Sequence, residues 1–307
     1  MKKLIAIMLA VLLLAGCSSN ASESTGASST PVETASKPTW ETVAADRTLK
    51  AQQYFVYDCE TEQFITISGS PADKIYPASV TKLFTAYVAI EFLGADHSVT
   101  AGDALDLVAA GSSVAEIEKS NVLTVRQLVE GMLLPSGNDA AYILAVEAGR
   151  TLKKNSSLSA IEAAAAFVME MNAQAKLLGL NNTYFANPDG IHSEEHYTTF
   201  ADLAKLGMLA LEDPTIREVA MVSRENVTFQ SGQTKTWTNT NALINPESPY
   251  YCPYAIGLKT GQTPYAGSCL LSAFEYEGTT LLIGVFGCPE PEDRFPDTLQ
   301  LLQTAIS

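Results

Sequence analysis

The stretch Pro77-Ala78-Ser79-Val80-Thr81-Lys82, running on into Leu83-Phe84-Thr85-Ala86-Tyr87-Val88-Ala89-Ile90, decides how the chain is read. Val80, Leu83, Phe84, Tyr87 and Val88 recur at the i, i+3, i+4, i+7, i+8 spacing of a buried helix face. Ser79 is therefore expected in the first turn of that helix, with Lys82 one turn on and on the same side. A hydroxyl and an amine so placed can serve as nucleophile and base. Burial and neighbouring cations lower a lysine pKa to roughly 7–8, where the neutral amine can take the serine proton. The helix N-terminus also turns backbone N–H groups toward the reacting oxygen. Taken alone, S-x-x-K is common, and its plain alternative is a Ser N-cap beside a solvent-facing Lys.

Outward toward the N-terminus, residues 1–16 read as a signal peptide: Lys2 and Lys3, an apolar run from Leu4 to Leu14, then small residues. Such a run is too short to span a membrane as a stable helix. Leu14-Ala15-Gly16-Cys17 resembles the lipobox of bacterial lipoproteins, which implies cleavage before Cys17 and lipidation on it. Residues 17–44 then form a lipidated cysteine and a stalk rich in Ser, Thr, Ala, Glu and Pro, with too few large apolar residues to fold. Residues 45–307 suffice for one large domain or two intimately packed lobes.

The net charge is −15, and loss of Lys2 and Lys3 with the leader makes it −17. So acidic a chain is repelled by nucleic acid and by anionic lipid, which leaves membrane attachment to the lipid on Cys17. Cys59, Cys252, Cys269 and Cys288 remain in the folded part. In an exported protein four cysteines allow three pairings, among which spacing does not choose. No C-x-x-C suggests zinc. His192-Ser193-Glu194-Glu195-His196 fits H-x-x-E-H, but it follows Pro188 and Gly190 and lacks the helical periodicity that would put both histidines on one face. No metal or cofactor is expected, and His97 reads as a surface residue.

Gln53–Asp58 and Gln63–Ile67 read as strands joined by a polar turn. Thr124 to Gln127 and Ser159 to Glu162 are capping boxes that open two helices. The first of these is stopped by Pro135-Ser136-Gly137-Asn138, with a further helix resuming at Asp139. Helices are expected at 199–211 and just after Asp213-Pro214, and a small hairpin around Ser231-Gly232. Three strands follow, at 255–260, 268–276 and 280–286, and a helix closes the chain at 295–306. Strands thus lie at both ends and helices in the middle. The fold class is α/β (more closely α+β), with one antiparallel five-stranded sheet built from both chain ends and a helical lobe inserted at roughly 95–225. The ligand site is expected in the cleft between them.

Two more motifs fall beside that cleft. Ser136-Gly137-Asn138 sits in the break between helices, and Lys259-Thr260-Gly261 ends the apolar strand Ala255-Ile256-Gly257-Leu258. Ser79-x-x-Lys82, Ser136-x-Asn138 and Lys259-Thr260-Gly261, in this order, resemble the active-site set of penicillin-binding proteins and serine β-lactamases, and imply their β-lactamase/transpeptidase-like fold. Within that group the chain is similar to the low-molecular-mass D-alanyl-D-alanine carboxypeptidases. The likeness runs from about Thr48 to the end and includes Asn187-Pro188-Asp189-Gly190-Ile191, Tyr197 and Asp202-Leu203-Ala204. No E-x-x-x-N, the pattern that places the deacylating glutamate of class A β-lactamases, lies between Ser136 and Lys259.

The resemblance implies that Ser79 attacks the carbonyl of the penultimate D-alanine, that Lys82 is its base, and that Ser136 relays the proton to the leaving amine. Asn138 would hold the substrate amide and the Lys82 ammonium. Lys259, Thr260 and Arg294 would grip the terminal carboxylate, and Gly261 would let the substrate backbone lie close. Backbone N–H groups of Ser79 and Gln262 would form the oxyanion hole; Gln262 stands where the family usually has His. The implied activity is removal of the terminal D-alanine from peptidoglycan stem peptides, with β-lactams as covalent inhibitors. Family members often carry a further β domain and a membrane helix, and here the lipid is expected to replace that anchor. The alternatives are a β-lactamase of related fold and a catalytically silent, peptidoglycan-binding lipoprotein.

Overall fold

Strand alternation explains how the two ends of the chain meet. The computed structural model describes Glu41, Val43 and residues 48–307, so the leader, Cys17 and nearly all of the stalk lie outside the described residues. Strands β1 (Gln53–Asp58) and β2 (Gln63–Ile67) pair with β3 (Ala255–Thr263), β4 (Gly267–Tyr276) and β5 (Thr279–Cys288) in the order β2-β1-β5-β4-β3, every neighbour antiparallel. Phe55 and Tyr57 face one side with Leu271, Ala273, Leu282 and Phe286. Val56 faces the other with Leu270, Phe274, Leu281, Ile283 and Val285. With apolar residues on both faces the sheet has to be covered twice. At Gly284, opposite Phe55, a side chain would strike the Phe55 ring, so the glycine makes room for it.

One cover is the terminal helix α7 (Arg294–Ile306), which buries Phe295, Leu299 and Leu302. Its buried Asp297 accepts from the backbone N–H groups of Lys50 and Ala51, both at 2.7 Å, pinning the start of the domain to its end. The other cover is helical: α1 (Thr81–Leu93), α2 (Val125–Leu133), α3 (Asn138–Leu152), α4 (Ala160–Leu177), α5 (Phe200–Glu212) and α6 (Pro214–Ala220). Both capping boxes form: the Thr124 and Ser159 hydroxyls accept from Gln127 and Glu162 N–H, and the Gln127 and Glu162 side chains reach back. Asp213 caps α6 ahead of Pro214. The three C-terminal strands run longer than their sequence signals, and the hairpin starts earlier, at Arg224.

The first helix departs from expectation. Ser79 lies in a separate 3₁₀ turn, Ala78–Val80, just before α1. Nor is α1 buried on one face only: Thr81, Lys82 and Thr85 are as buried as Leu83 and Phe84. Each of the three grips the loop after α4. Thr85 Oγ1 donates to Pro188 O at 2.6 Å, Lys82 Nζ donates to Asp189 O at 2.7 Å, and Thr81 Oγ1 meets His196 Nε2 at 2.8 Å. A polar side chain in a core survives where it finds such a partner.

Candidate active site

The site is assembled from four segments that meet at Ser79. Ala78 is left-handed (φ +48°), which turns the Ser79 hydroxyl out of the helix line. Lys82 Nζ donates to Ser79 Oγ at 2.9 Å. Lys82 has no exposed surface, and burial lowers its pKa from 10.5 to about 8, against the raising charges of Asp189 and Asp139. A buried amine near neutrality, hydrogen-bonded to a hydroxyl, is set up to take that hydroxyl's proton.

The loop beneath is built around Asn187. Its side-chain oxygen accepts from Gly190 N–H and its Nδ2 donates to Ile191 O, both at 2.8 Å. Gly190 has φ +85°, and a Cβ there would lie 2.0 Å from Ala78 O. The loop is thus pressed against the turn that carries Ser79, and no side chain fits between. His196 anchors the far end. Its Nδ1 accepts from Ala186 N–H at 3.2 Å, so Nε2 carries the proton and donates to Thr81. Burial, helped by the charges of His192 and Lys82, lowers its pKa to about 4, so the ring is neutral and structural. Among the described residues no cluster of His, Cys, Asp or Glu is arranged for a metal.

Ser136 sits left-handed (φ +64°) between α2 and α3. Asp139, at the start of α3, accepts from Ala115, Ile117 and Ala140 N–H groups, and the Ser113 hydroxyl donates to Ser136 O at 2.9 Å. These bonds hold the 113–117 segment against the site. Asn138 enters the same cavity as Ser79, but its buried Oδ1 has no partner. Two of the Lys82 Nζ donors go to Ser79 Oγ and Asp189 O, and no hydrogen bond joins Nζ to Asn138 in this structure.

Strand β3 is an edge of the sheet, with Lys259, Thr260, Gly261 and Gln262 on it. Gly261 has a reason beyond the expected one. A Cβ there would lie 2.9 Å from both Ala78 Cβ and Ser79 N, so the glycine also lets β3 close on the nucleophile's own backbone. Thr260 Oγ1 meets Thr240 Oγ1 at 2.5 Å. Arg294 Nη1 reaches Gly261 O at 3.3 Å, and its Nε is buried without a partner. Lys259 is 1% exposed and donates to Thr260 O at 3.0 Å. Burial, then the charges of Lys82 and Arg294, hold its pKa well below the usual value. Neither Lys259 nor Arg294 forms an ion pair among the described residues, and burial disfavours the charged form of each, with like charge adding to it at Lys259. Arg294, Thr260, Ser136 and Ser79 line one cavity of about 180 Å³. Across Ser79 and Gln262 lies a second, of about 370 Å³.

Sequence reading missed Asp189 as a charge beside Lys82, and it missed Thr240, Ser113 and Asp139. Asp189 lay inside a recognised motif, and Asp139 directly follows one; Thr240 and Ser113 carry no local signal. The four cysteines are free thiols, with Cys269 and Cys288 on neighbouring strands.

A serine hydrogen-bonded to a buried lysine, in a cleft between a helical lobe and the edge of a five-stranded sheet, fits a serine hydrolase of the penicillin-binding class. The chain belongs to the D-alanyl-D-alanine carboxypeptidase family, peptidase family S11, whose model matches residues 39–289. It is 35% identical over 234 residues to the D-alanyl-D-alanine carboxypeptidase of Streptomyces sp. (strain K15), covering 73% of this chain and 76% of that one. It is 30% identical over 242 residues to DacF of Bacillus subtilis (strain 168), covering 76% of this chain and 57% of that one. The crystal structure of the Streptomyces K15 DD-transpeptidase superposes with a TM-score of 0.75 at 30% identity, over 85% of this chain and 98% of that one.

Proposed function

We propose that the protein is a serine DD-carboxypeptidase that removes the terminal D-alanine from peptidoglycan stem peptides through an ester on Ser79. Neutral Lys82 takes the Ser79 proton as Oγ attacks the penultimate carbonyl carbon. The oxyanion faces the backbone N–H groups of Ser79 and Gln262, which Gly261 allows to lie close together. The tetrahedral adduct collapses, the C–N bond breaks, and the departing amine takes a proton by way of Ser136. Water then cleaves the ester, returning the proton to Ser79. Asn138, which lines the cavity beside Ser79, suits a substrate amide. A β-lactam would acylate the same serine.

The observation that carries this reading is the cavity beside Ser79 that Thr260 and the largely buried Arg294 guanidinium line together. The Arg294 guanidinium calls for an anion, and a peptide's terminal carboxylate, one residue past the scissile bond, supplies it and would favour the charged form of Lys259 as well. Export by the 1–16 leader and anchoring through a lipid on Cys17 belong to the same proposal and rest on the sequence alone.

Benzylpenicillin should leave a lasting mass adduct that maps to Ser79, and a peptide ending in D-Ala-D-Ala should release free D-alanine. An adduct on Ser136, or none, would refute the nucleophile. Fast multiple-turnover hydrolysis of penicillin would move the protein to the β-lactamases.

A further inference from the structure

We infer that the outer face of α4 is a self-complementary surface on which a second copy of this chain docks antiparallel, with the two-fold axis at Met169. The helix is held firmly from below. Its inner side buries Ala163, Phe167, Met171 and Ala175. There α3 approaches so closely that a Cβ on Gly149 would lie 1.9 Å from Ala163 O. Seven residues stand exposed on the other side: Ile161, Glu162, Ala165, Met169, Ala173, Lys176 and Leu177. Three of them are large and apolar, with Ile161 67%, Met169 69% and Leu177 78% exposed. A row of open apolar side chains along one rigid helix, about 24 Å from end to end, marks a contact surface.

The order of these residues selects the partner. Counted from Met169, they fall four, seven and eight positions away on either side. An antiparallel copy centred there sets Ala165 opposite Ala173, Glu162 opposite Lys176 and Ile161 opposite Leu177, and a two-fold axis makes every pairing twice. Any surface helix is exposed symmetrically about its middle, but nothing in that geometry dictates Ala against Ala and Glu against Lys. The facing alanines let the two backbones approach to about 8 Å, and the flexible Met169 side chains fill the space at the axis. At each end a carboxylate meets an ammonium. Glu162 is already steady there: its Oε2 accepts from Ser159 N–H at 3.1 Å and from Ser159 Oγ at 2.6 Å, which leaves Oε1 for the lysine. The face carries one Glu and one Lys, with no net charge, on a chain of −15, so two copies meet here with no like charges opposed. An anionic lipid surface repels the same chain. So narrow a contact lies at the small end of specific interfaces, and the dimer is a weak one, favoured at high local concentration.

Oxidative cross-linking of the full chain reads this contact directly. A cysteine at the axis faces its own copy within disulfide reach, and Cys252, Cys269 and Cys288 are buried. On a non-reducing gel Met169→Cys should give a disulfide dimer in several-fold higher yield than Met221→Cys, an exposed position after α6. Adding Lys176→Glu to the Met169→Cys chain opposes like charges at both ends and should lower the yield about ten-fold. Adding Glu162→Lys as well opposes unlike charges again and should recover the cross-link, even though the cap on α4 is lost. Thermal melting checks that each chain is folded. Equal yields from Met169→Cys and Met221→Cys would overturn the interface. A yield indifferent to Lys176→Glu, or not regained with Glu162→Lys, would overturn the antiparallel docking.

Discussion

Burial of Lys82 should be visible as a pH-dependent loss of stability that a single substitution removes. The fall of its pKa from 10.5 in the open chain to about 8 in the fold, at about 1.36 kcal/mol per pH unit, amounts to roughly 3 kcal/mol. A lysine with a depressed folded value binds fewer protons folded than unfolded between those two limits. Stability therefore rises with pH across that window, while below about pH 8 the full cost is present. Lys82→Met removes the titration and leaves the other charges in place. The difference in unfolding free energy, wild type minus Lys82→Met, should climb by roughly 3 kcal/mol between pH 7 and pH 10.5, measured by urea unfolding across a pH series. The same titration should govern penicillin acylation of the wild type. The rate should rise about ten-fold per pH unit below 8 and level off above it, since only the neutral amine can act as base. A flat stability difference, or an acylation profile still climbing at pH 10, would refute the burial argument; an acylation rate independent of pH between 6 and 8 would refute the assignment of Lys82 as base.

Three further outcomes follow from the same geometry. Gly190→Ala must fit a Cβ 2.0 Å from Ala78 O at a left-handed φ; it should destabilise by about 3 kcal/mol or more and slow acylation, and an unfolding midpoint unchanged from wild type would show that the loop yields. Amidating the C-terminus of a D-Ala-D-Ala peptide should lower kcat/KM by on the order of 10²-fold, with Arg294→Ala narrowing that gap about ten-fold; equal cleavage of acid and amide by the wild type removes the clamp. Cys252, Cys269 and Cys288 are buried with pKa values pushed up to about 11, 12 and 12, so a disulfide-exchange thiol reagent at pH 8 should leave them unmodified until urea unfolds the chain.

What could be read from the sequence was local. Ser79 with Lys82, Ser136 with Asn138, and Lys259 to Gly261 each occupy a single turn or strand end, where spacing alone sets the geometry. Capping boxes at Thr124 and Ser159 were legible for the same reason. What failed depended on which neighbour the fold supplies. A missing Cβ at Gly261 signals close approach but does not reveal that the Ser79 turn is one of the things that approaches. Hydrophobic spacing marked one face of α1 as buried, yet Thr81, Lys82 and Thr85 are buried too, because the loop at 186–196 offers each a partner. Lys82 takes as a partner Asp189 O, from a segment about fifty residues beyond Asn138, which spacing could not reveal. Arg294 was found only through its match to a family position; that its guanidinium reaches Gly261 O and the cavity at Ser79 is a property of the packed sheet.

Strand β1 has its own hairpin partner on one side and β5 on the other, so the centre of the sheet joins residues 53–58 to residues 281–286. The first hairpin has to wait, one edge unpaired, until nearly the whole chain is available. Loops this long are costly to close, and folds dominated by such distant pairings form slowly. During that interval Val56, in the middle of β1, has neither β5 beside it nor α7 over it. The half-made sheet is an adhesive edge for any neighbouring copy. Penicillin binding, which needs Ser79 from one end of this closure and β3 from the other, is therefore a direct count of molecules that have completed it.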